Sequence, residues 1–302
     1  MTMHLFGAVL TAKATAANNR GENEAGTIST LQKIIRNGEL HSTVSAEAIR
    51  YALREVWQED DSLKLHRRVS HTGSVWDGDA NFEEWSDNID DDVLGFMHAK
   101  QETISRRGIL EISRAVSTTP WTGELSYNFA SPGANPAVTH RNPIPYAVEE
   151  HHTRYQYGFA MTPNELSKDR PLRVEKTLRA LQNLRRVGGN HARFLFDFSP
   201  EIIVLRWTAD PAPRMLLCFD EDERGSISLM RLAARVGGKD TDPEEKDIRP
   251  DELIIGSVIK DAEGLKELKE AGAQIYDDGI KKAVSEAVNT VKRSFENSGT
   301  GS

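Results

Sequence analysis

Apolar residues between His4 and Thr15 alternate weakly, and the segment is rich in Leu, Val, Ala and Thr. That pattern predicts a strand. Ser45 is placed to cap a helix. Ile49, Ala52, Leu53 and Val56 then recur at helical spacing and form its buried stripe. Glu47, Arg50 and Arg54 fall on a separate, polar face. A second strand is expected over Gly108 to Thr118, and a third where Tyr155, Tyr157, Phe159 and Met161 alternate. Arg170 to Arg186 reads as a helix, with Asp169 to cap it, Pro171 in its first turn and Gly188 at its stop. Glu201 to Thr208 is a strand. A short strand near Leu253 to Ile259 and helices over Glu263–Glu270 and Gly279–Phe295 complete the chain, and Asn297 to Ser302 is expected to be disordered. The core order is strand, helix, strands, helix, strand, which is the α+β, ferredoxin-like or RRM arrangement.

Two stretches interrupt that core. Asp77 to Asp92 is acidic and holds a tryptophan, Trp85, with Trp76 just before it, so it reads as an inserted lobe. Thr122 to His152 carries four prolines and little periodicity, and reads as an extended loop.

The distribution of charge is more informative than the composition. The 302-residue chain has a formal net charge of -8, which taken as a whole disfavours nucleic acid. The charge is uneven. Residues 58–98 carry -8 and 209–302 carry -6, whereas 99–208 carry +5 and 1–57 carry +1. A mildly basic body with acidic additions remains compatible with phosphate binding, which depends on local charge. The single cysteine, Cys218, excludes an internal disulfide. No apolar run approaches the ~20 residues of a membrane span, and the first 13 residues lack a basic leader. A soluble cytoplasmic protein with no membrane partner is expected.

Catalytic motifs are nearly absent from the sequence. Asp77, Asp79 and Asn81 resemble the start of a calcium loop, but Phe82 holds the glycine position and Asn88 the terminal Glu position, which excludes an EF-hand. No HExxH zinc motif occurs, and no Lys-Ser or Lys-Thr follows the Gly188–Gly189 pair as a Walker loop requires. His151 and His152 are adjacent, so on a strand their rings face opposite ways. Cys218 lies in an apolar run and reads as a buried or half-buried thiol. No metal and no cofactor are expected.

The run HSTVSAEAIRYALR, His41 to Arg54, resembles the segment after the first strand in backbone subunits of type I CRISPR (Cascade) complexes, and within them the DevR family. NRGE at Asn19, DDDVLGFM at Asp90, RRGILEISRAVSTTPW from Arg106 and RRVGGNHAR from Arg185 follow the family in order. The resemblance spans roughly Met1 to Thr208. It implies a hand-shaped protein with an RRM-like palm (1–57 and 99–260), a lobe at 58–98, a thumb loop at 122–152, and C-terminal helices with a flexible tail at 261–302. Such subunits are non-catalytic. They stack head to tail along a guide RNA and hold it ready to pair with target DNA, beside other Cascade subunits.

The resemblance also implies RNA contacts. Arg50 and Arg54 would meet phosphates, to which guanidinium forks are suited. Ser45 would donate a hydrogen bond to the RNA backbone, or serve only as the helix cap. Glu47 is anomalous, because a carboxylate repels phosphate. Asn19 and Arg20 lie in a loop resembling the family's RNA-facing loop, or in an ordinary surface turn. Arg106 and Arg107 would touch phosphate or cap a sheet edge. Gly188, Gly189 and Asn190 would offer backbone amides, or only stop a helix. In the thumb, Tyr127, Phe129, His140 and Arg141 would wedge against bases. Tyr155 and Tyr157 alternate with period two and read as sheet packing. Since the guide must be held whatever its sequence, contacts should go to sugar and phosphate.

No aspartate occurs before Asp60, whereas related type III subunits cut target RNA with an aspartate after the first strand. Cleavage of the target is therefore not expected. A ribonuclease of related fold with His41 as general base is the alternative.

Overall fold

The computed structural model describes every residue except 18–22, 25–27, 71–72, 77–81, 100–102, 131–143, 189–194, 238–241, 243–244 and 300–302. Its centre is a sheet of nine strands. They are β1 (His4–Thr11), β2 (Lys33–Arg36), β3 (Glu39–Val44), β4 (Leu110–Ile112), β5 (Ala115–Ser117), β6 (Tyr155–Met161), β7 (Pro200–Thr208), β8 (Leu253–Ser257) and β9 (Gln274–Tyr276). The order across the sheet is β9-β8-β7-β1-β6-β5-β3-β2, with β4 also on β6. Among the described residues the accompanying helices are α1 (Ala46–Gln58), α2 (Ile89–Leu94), α3 (Arg170–Gln182), α4 (Met230–Val236), α5 (Leu265–Ala271) and α6 (Ile280–Gly299).

The four strands β7-β1-β6-β5, with α1 after β1 and α3 after β6, reproduce the expected order of fourth, first, third and second strand. β1 lies antiparallel between β6 and β7, with Val9 opposite Tyr157 on one side and Ile203 on the other. Its side chains feed two cores. Leu5 and Val9 pack with Ile49 and Leu53 of α1, Val174 and Leu178 of α3, and Val284 and Val288 of α6. Phe6, Ala8 and Leu10 face the other way, onto Met215, Cys218, Phe219, Leu232 and Leu268. Each large apolar side chain buried this way stabilises by about 1.5–3 kcal/mol. For α1 that outweighs the cap at Ser45, whose hydroxyl oxygen accepts from the Ala48 amide at 3.2 Å and is worth about 1 kcal/mol.

The second core has a functional consequence. An RRM offers RNA the sheet face opposite its helices. Here Met215, Cys218, Phe219, Leu232, Ala262 and Leu268 pack on that face, so it is closed to nucleic acid. Tyr155 and Tyr157 are 0% and 1% exposed and pack against Phe198 at ring distances of 6.0 and 5.7 Å. They are sheet packing, as their alternation indicates.

Several expected boundaries shift. The strand over Gly108–Thr118 is two strands, β4 and β5. Ile112 pairs with Phe159 and Val116 with Gln156, so one strand advances four residues while the other advances three. That extra residue is a bulge, and Gly158 donates its amide to Ser113 Oγ there at 2.9 Å. The helix from Arg170 ends at Gln182, not Arg186. Asp169 has left-handed backbone (φ 42°) and makes no side-chain cap bond, so it does not cap the helix as expected. Described parts of the proline-rich segment form a hairpin, Leu125–Ala130 against Ile144–Glu149. The last helix continues to Gly299, so 297–299 are helical and not a disordered tail. Among the described residues no helix is long and apolar enough to cross a membrane.

Candidate nucleic-acid interface

The polar face of α1 opens into a groove of about 560 Å³ lined by Glu47, Arg50, Tyr51 and Arg54 of the helix, Arg67, Leu94, Gly95, Phe96 and Met97, and Arg106 and Gly108. Four arginines from three chain segments thus meet at one surface. The helix supplies two because residues 50 and 54 are one turn apart. The other two come from hairpins that follow it: Arg67 from the hairpin Arg67–Ser70/Gly73–Trp76 and Arg106 from Gly95–Ala99/Thr103–Arg107.

The floor is a close backbone crossing. A Cβ on Gly95 would lie 2.4 Å from Arg106 O, and one on Gly108 would lie 2.4 Å from Leu94 O and 3.2 Å from an Arg50 nitrogen. Gly95 also has φ 71°, which disfavours any side chain. These glycines let the two segments touch and bring Arg50 within reach of the Leu94 carbonyl, to which its guanidinium donates.

Beneath the groove lie the three carboxylates of Asp90, Asp91 and Asp92, all fully buried on α2. Burial of a carboxylate is costly unless it is paired, and each has its own partners. Asp90 accepts from the amides of His66 at 2.9 Å and Arg67 at 3.1 Å, and from Arg54 Nε at 3.5 Å. Asp91 pairs with His66 Nδ1 at 2.5 Å. Burial, and then the charge of Asp90, push the Asp91 carboxyl above the usual carboxylate range. Asp92 accepts from Arg106 at 2.5 Å, from the Ser167 amide at 3.0 Å and from Arg173. The acidic triplet therefore ties α1, α3 and the hairpins together, and it neutralises some arginines and not others.

Arg54 is 8% exposed and faces Asp90. Arg106 is bound to Asp92 and stacks 4.1 Å over Trp85. Arg67 lies 3.8 Å over Trp76, and its side chain makes no ion pair or hydrogen bond among the described residues, its buried Nε included. Burial and then the charge of Arg54 hold both Arg50 and Arg67 below the ordinary arginine value. A guanidinium stays protonated nonetheless. Arg50 and Arg67 therefore present partly desolvated positive charge with no carboxylate bound to it, an arrangement that an anion relieves.

The expected contact residues divide as follows. Arg50, Arg54 and Arg106 come together in the groove. Ser45 caps α1 and is not among the lining residues. Arg107 is exposed, pairs with Glu111 and lies outside the lining. Gly188 has φ 82° and falls well past the end of α3 at Gln182. Asn19, Arg20, His140, Arg141, Gly189 and Asn190 lie outside the described residues. Arg67 escapes sequence reasoning because it sits in the acidic segment. Its signal there is a basic pair, Arg67–Arg68, close to a tryptophan.

A larger groove, about 680 Å³, runs between α4 and α5 and is lined by Met230, Ala233, Ala234, Gly237, Ala271 and two carboxylates, Glu267 and Glu270. It has no cation in its lining and does not suit a polyanion.

The histidines among the described residues have structural partners. His41 is 5% exposed, and its Nδ1 contacts Ser117 O at 2.9 Å. A general base must reach a substrate proton, and His41 lies beneath the surface. His151 Nδ1 is 2.7 Å from Ser42 Oγ, a length seen in serine nucleophile pairs. Ser42 is fully buried, however, and its oxygen also meets the Tyr155 hydroxyl at 2.9 Å. His152 points outward on the same strand. Burial pushes the Cys218 thiol up to about 12, so it is inert. No cluster of three or more potential metal ligands occurs among the described residues.

Residues 28–224 match the family described as CRISPR-associated negative auto-regulator DevR/Csa2. The chain is 42% identical over 294 residues to the CRISPR-associated protein Cas7/Cst2/DevR of Myxococcus xanthus (strain DK1622), covering 91% of this chain and 94% of that one. Solved chains share its fold, two of them from CRISPR complexes. One is from a CRISPR RNA-guided surveillance complex, with a TM-score of 0.59, 14% identity, and coverage of 95% of this chain and 99% of that one. The other is from such a complex in a pre-nicking state, with a TM-score of 0.63, 12% identity and the same coverage.

Proposed function

Because the chain belongs to the CRISPR-associated DevR/Csa2 family, we propose that it is a non-catalytic backbone subunit that grips guide RNA in a type I (Cascade) surveillance complex. The observation that carries this reading is the groove on α1, where Arg50 and Arg67 offer positive charge with no bound carboxylate. Guanidinium forks suit phosphate oxygens, and a groove that takes phosphate and sugar leaves the bases free to pair with target DNA.

Palm (1–57 and 99–260), lobe (58–98), thumb (122–152) and C-terminal region (261–302) act as separate working parts in this reading. The lobe presses its tryptophans, Trp76 and Trp85, onto two of the arginines. The thumb hairpin exposes Tyr127 and Phe129, 77% and 70% accessible. These lie two apart on one strand face and are suited to reach a neighbouring copy or an unstacked base. Copies stack head to tail through heterologous contacts that do not close, alongside other Cascade subunits in the cytoplasm. Arg107, Gly188 and the contacts outside the described residues (Asn19, Arg20, His140, Arg141, Gly189, Asn190) serve as secondary RNA contacts. The buried setting of His41 favours this scaffold over a ribonuclease.

The test is to purify the protein with the products of its neighbouring genes and sequence the RNA it carries. A discrete RNA with repeat-derived ends is expected. An assembled complex free of RNA would overturn the reading.

A further inference from the structure

Among the described residues, Glu47 is the one acidic side chain lining the arginine groove. Its side chain is exposed and makes no hydrogen bond or ion pair among the described residues. It stands in the first turn of α1, three residues before Arg50, and its charge acts on Arg50 through space. A carboxylate in a helix's first turn gains a few tenths of a kcal/mol from the helix dipole. That accounts for an acidic residue near the helix start, but not for one at the rim of a phosphate cradle, where it weakens the attraction for every phosphate.

A ligand that carries a hydroxyl beside its phosphate resolves the conflict. RNA does, at every ribose, and DNA does not. A carboxylate is an acceptor only, and an acidic residue next to a phosphate site is a known way to hold a ribose hydroxyl. We propose that Glu47 accepts a hydrogen bond from the 2′-hydroxyl of the nucleotide whose phosphate sits on Arg50 and Arg67, and so makes the groove selective for RNA over DNA. The arrangement divides the work. The arginines supply affinity for any phosphate backbone, while Glu47 repels a backbone that offers no donor and repays the repulsion for one that does. This inference rests on the groove being the RNA site.

The test uses the purified full chain and three labelled 30-mers of one sequence: RNA, DNA, and 2′-fluoro RNA, which keeps the RNA sugar pucker but lacks the donor. Fluorescence anisotropy at one fixed salt concentration reads all three. The wild type is expected to prefer RNA over 2′-fluoro RNA by roughly ten-fold, in line with a hydrogen bond to a charged group. Glu47→Ala should bring the two within about two-fold, mainly by weakening RNA and leaving or improving DNA. Glu47→Gln, whose amide oxygen still accepts, should retain part of the preference. Unchanged melting temperatures for both variants would exclude misfolding as the cause. Equal wild-type affinity for RNA and 2′-fluoro RNA would overturn the role of Glu47 while leaving the groove reading intact, as would a Glu47→Ala variant that binds all three more tightly by the same factor. Wild-type protein that binds none of the three would remove the groove reading itself.

Discussion

The guanidinium of Arg67 lies 3.8 Å from the ring centre of Trp76, and the two residues face each other across one hairpin. Stacking of this kind is worth about 0.5–2 kcal/mol, and here it fixes the direction in which an otherwise unpartnered cation points. Trp76→Ala should therefore loosen Arg67 without removing its charge. RNA affinity should fall several-fold at constant salt, while the salt dependence stays near the wild-type value. Filter binding over a salt series measures both. A changed slope with unchanged affinity would contradict this role for Trp76.

Asp92 holds Arg106 and Arg173 at a fully buried position. Asp92→Ala leaves two cations without their carboxylate, and a broken buried pair costs about 3–5 kcal/mol. A large drop in melting temperature is expected. Arg107→Ala removes only an exposed pair with Glu111 and should leave the melting temperature unchanged. Calorimetry of both variants checks the contrast.

A Cβ at Gly108 would meet the Leu94 carbonyl and the Arg50 side chain at once. Gly108→Ala forces a methyl group into backbone that cannot yield easily. Overpacking of this order costs about 1–3 kcal/mol. Because the displaced neighbour is Arg50, RNA affinity should fall together with stability, measured by anisotropy and thermal melting. Gly123→Ala, at a position with open space but φ 102°, should cost some stability and leave RNA affinity unchanged.

Burial holds the His151 imidazole down at about 4, against an ordinary 6.5. The folded state thus binds fewer protons than the unfolded chain between those values. The stability His151 contributes is full above about pH 6.5 and is lost as pH falls through about 4. Asp91 acts in the opposite sense. Its raised carboxyl contributes stability below the ordinary carboxylate range, and this is lost as pH rises through its elevated value. The two partly cancel in the wild type, so the useful quantity is a difference. His151→Gln should lose less stability than the wild type between pH 6.5 and 4 in urea melts. Parallel pH profiles would contradict the assignment.

Much of the central sheet and its helices is legible in the sequence because their signals are local. Ser45 followed by Ile49, Ala52 and Leu53 marks α1, and the structure places all four as the pattern requires. The limit is reached where periodicity is imitated. Leu184 and Val187 are three apart and fully buried, so they extend the helical pattern of α3 past its end at Gln182, although the chain there is no longer helical. The bulge at Ser113 depends on pairing with Gly158, a partner 45 residues away that no local pattern reveals. The groove is half legible. Arg50 and Arg54 share a helix face, and Arg106 lies in a recognised motif, but Arg67 arrives through a hairpin fold in an acidic segment. Nor does sequence distinguish Arg54, which faces Asp90, from Arg50, which does not.

That difference decides which arginines to replace. Replacing Arg54 would strip the partner from a buried carboxylate and confuse folding with binding, so Arg50→Ala with Arg67→Ala is the direct probe. Each phosphate contact on a single strand contributes about 0.7 to the slope of log affinity against log salt concentration. The double variant, shown by its melting curve to be folded, should bind RNA more weakly for every sequence tried, with a slope shallower by about 0.7, because the two arginines share one phosphate. A folded double variant with wild-type affinity and wild-type slope would show that this groove does not hold the RNA backbone.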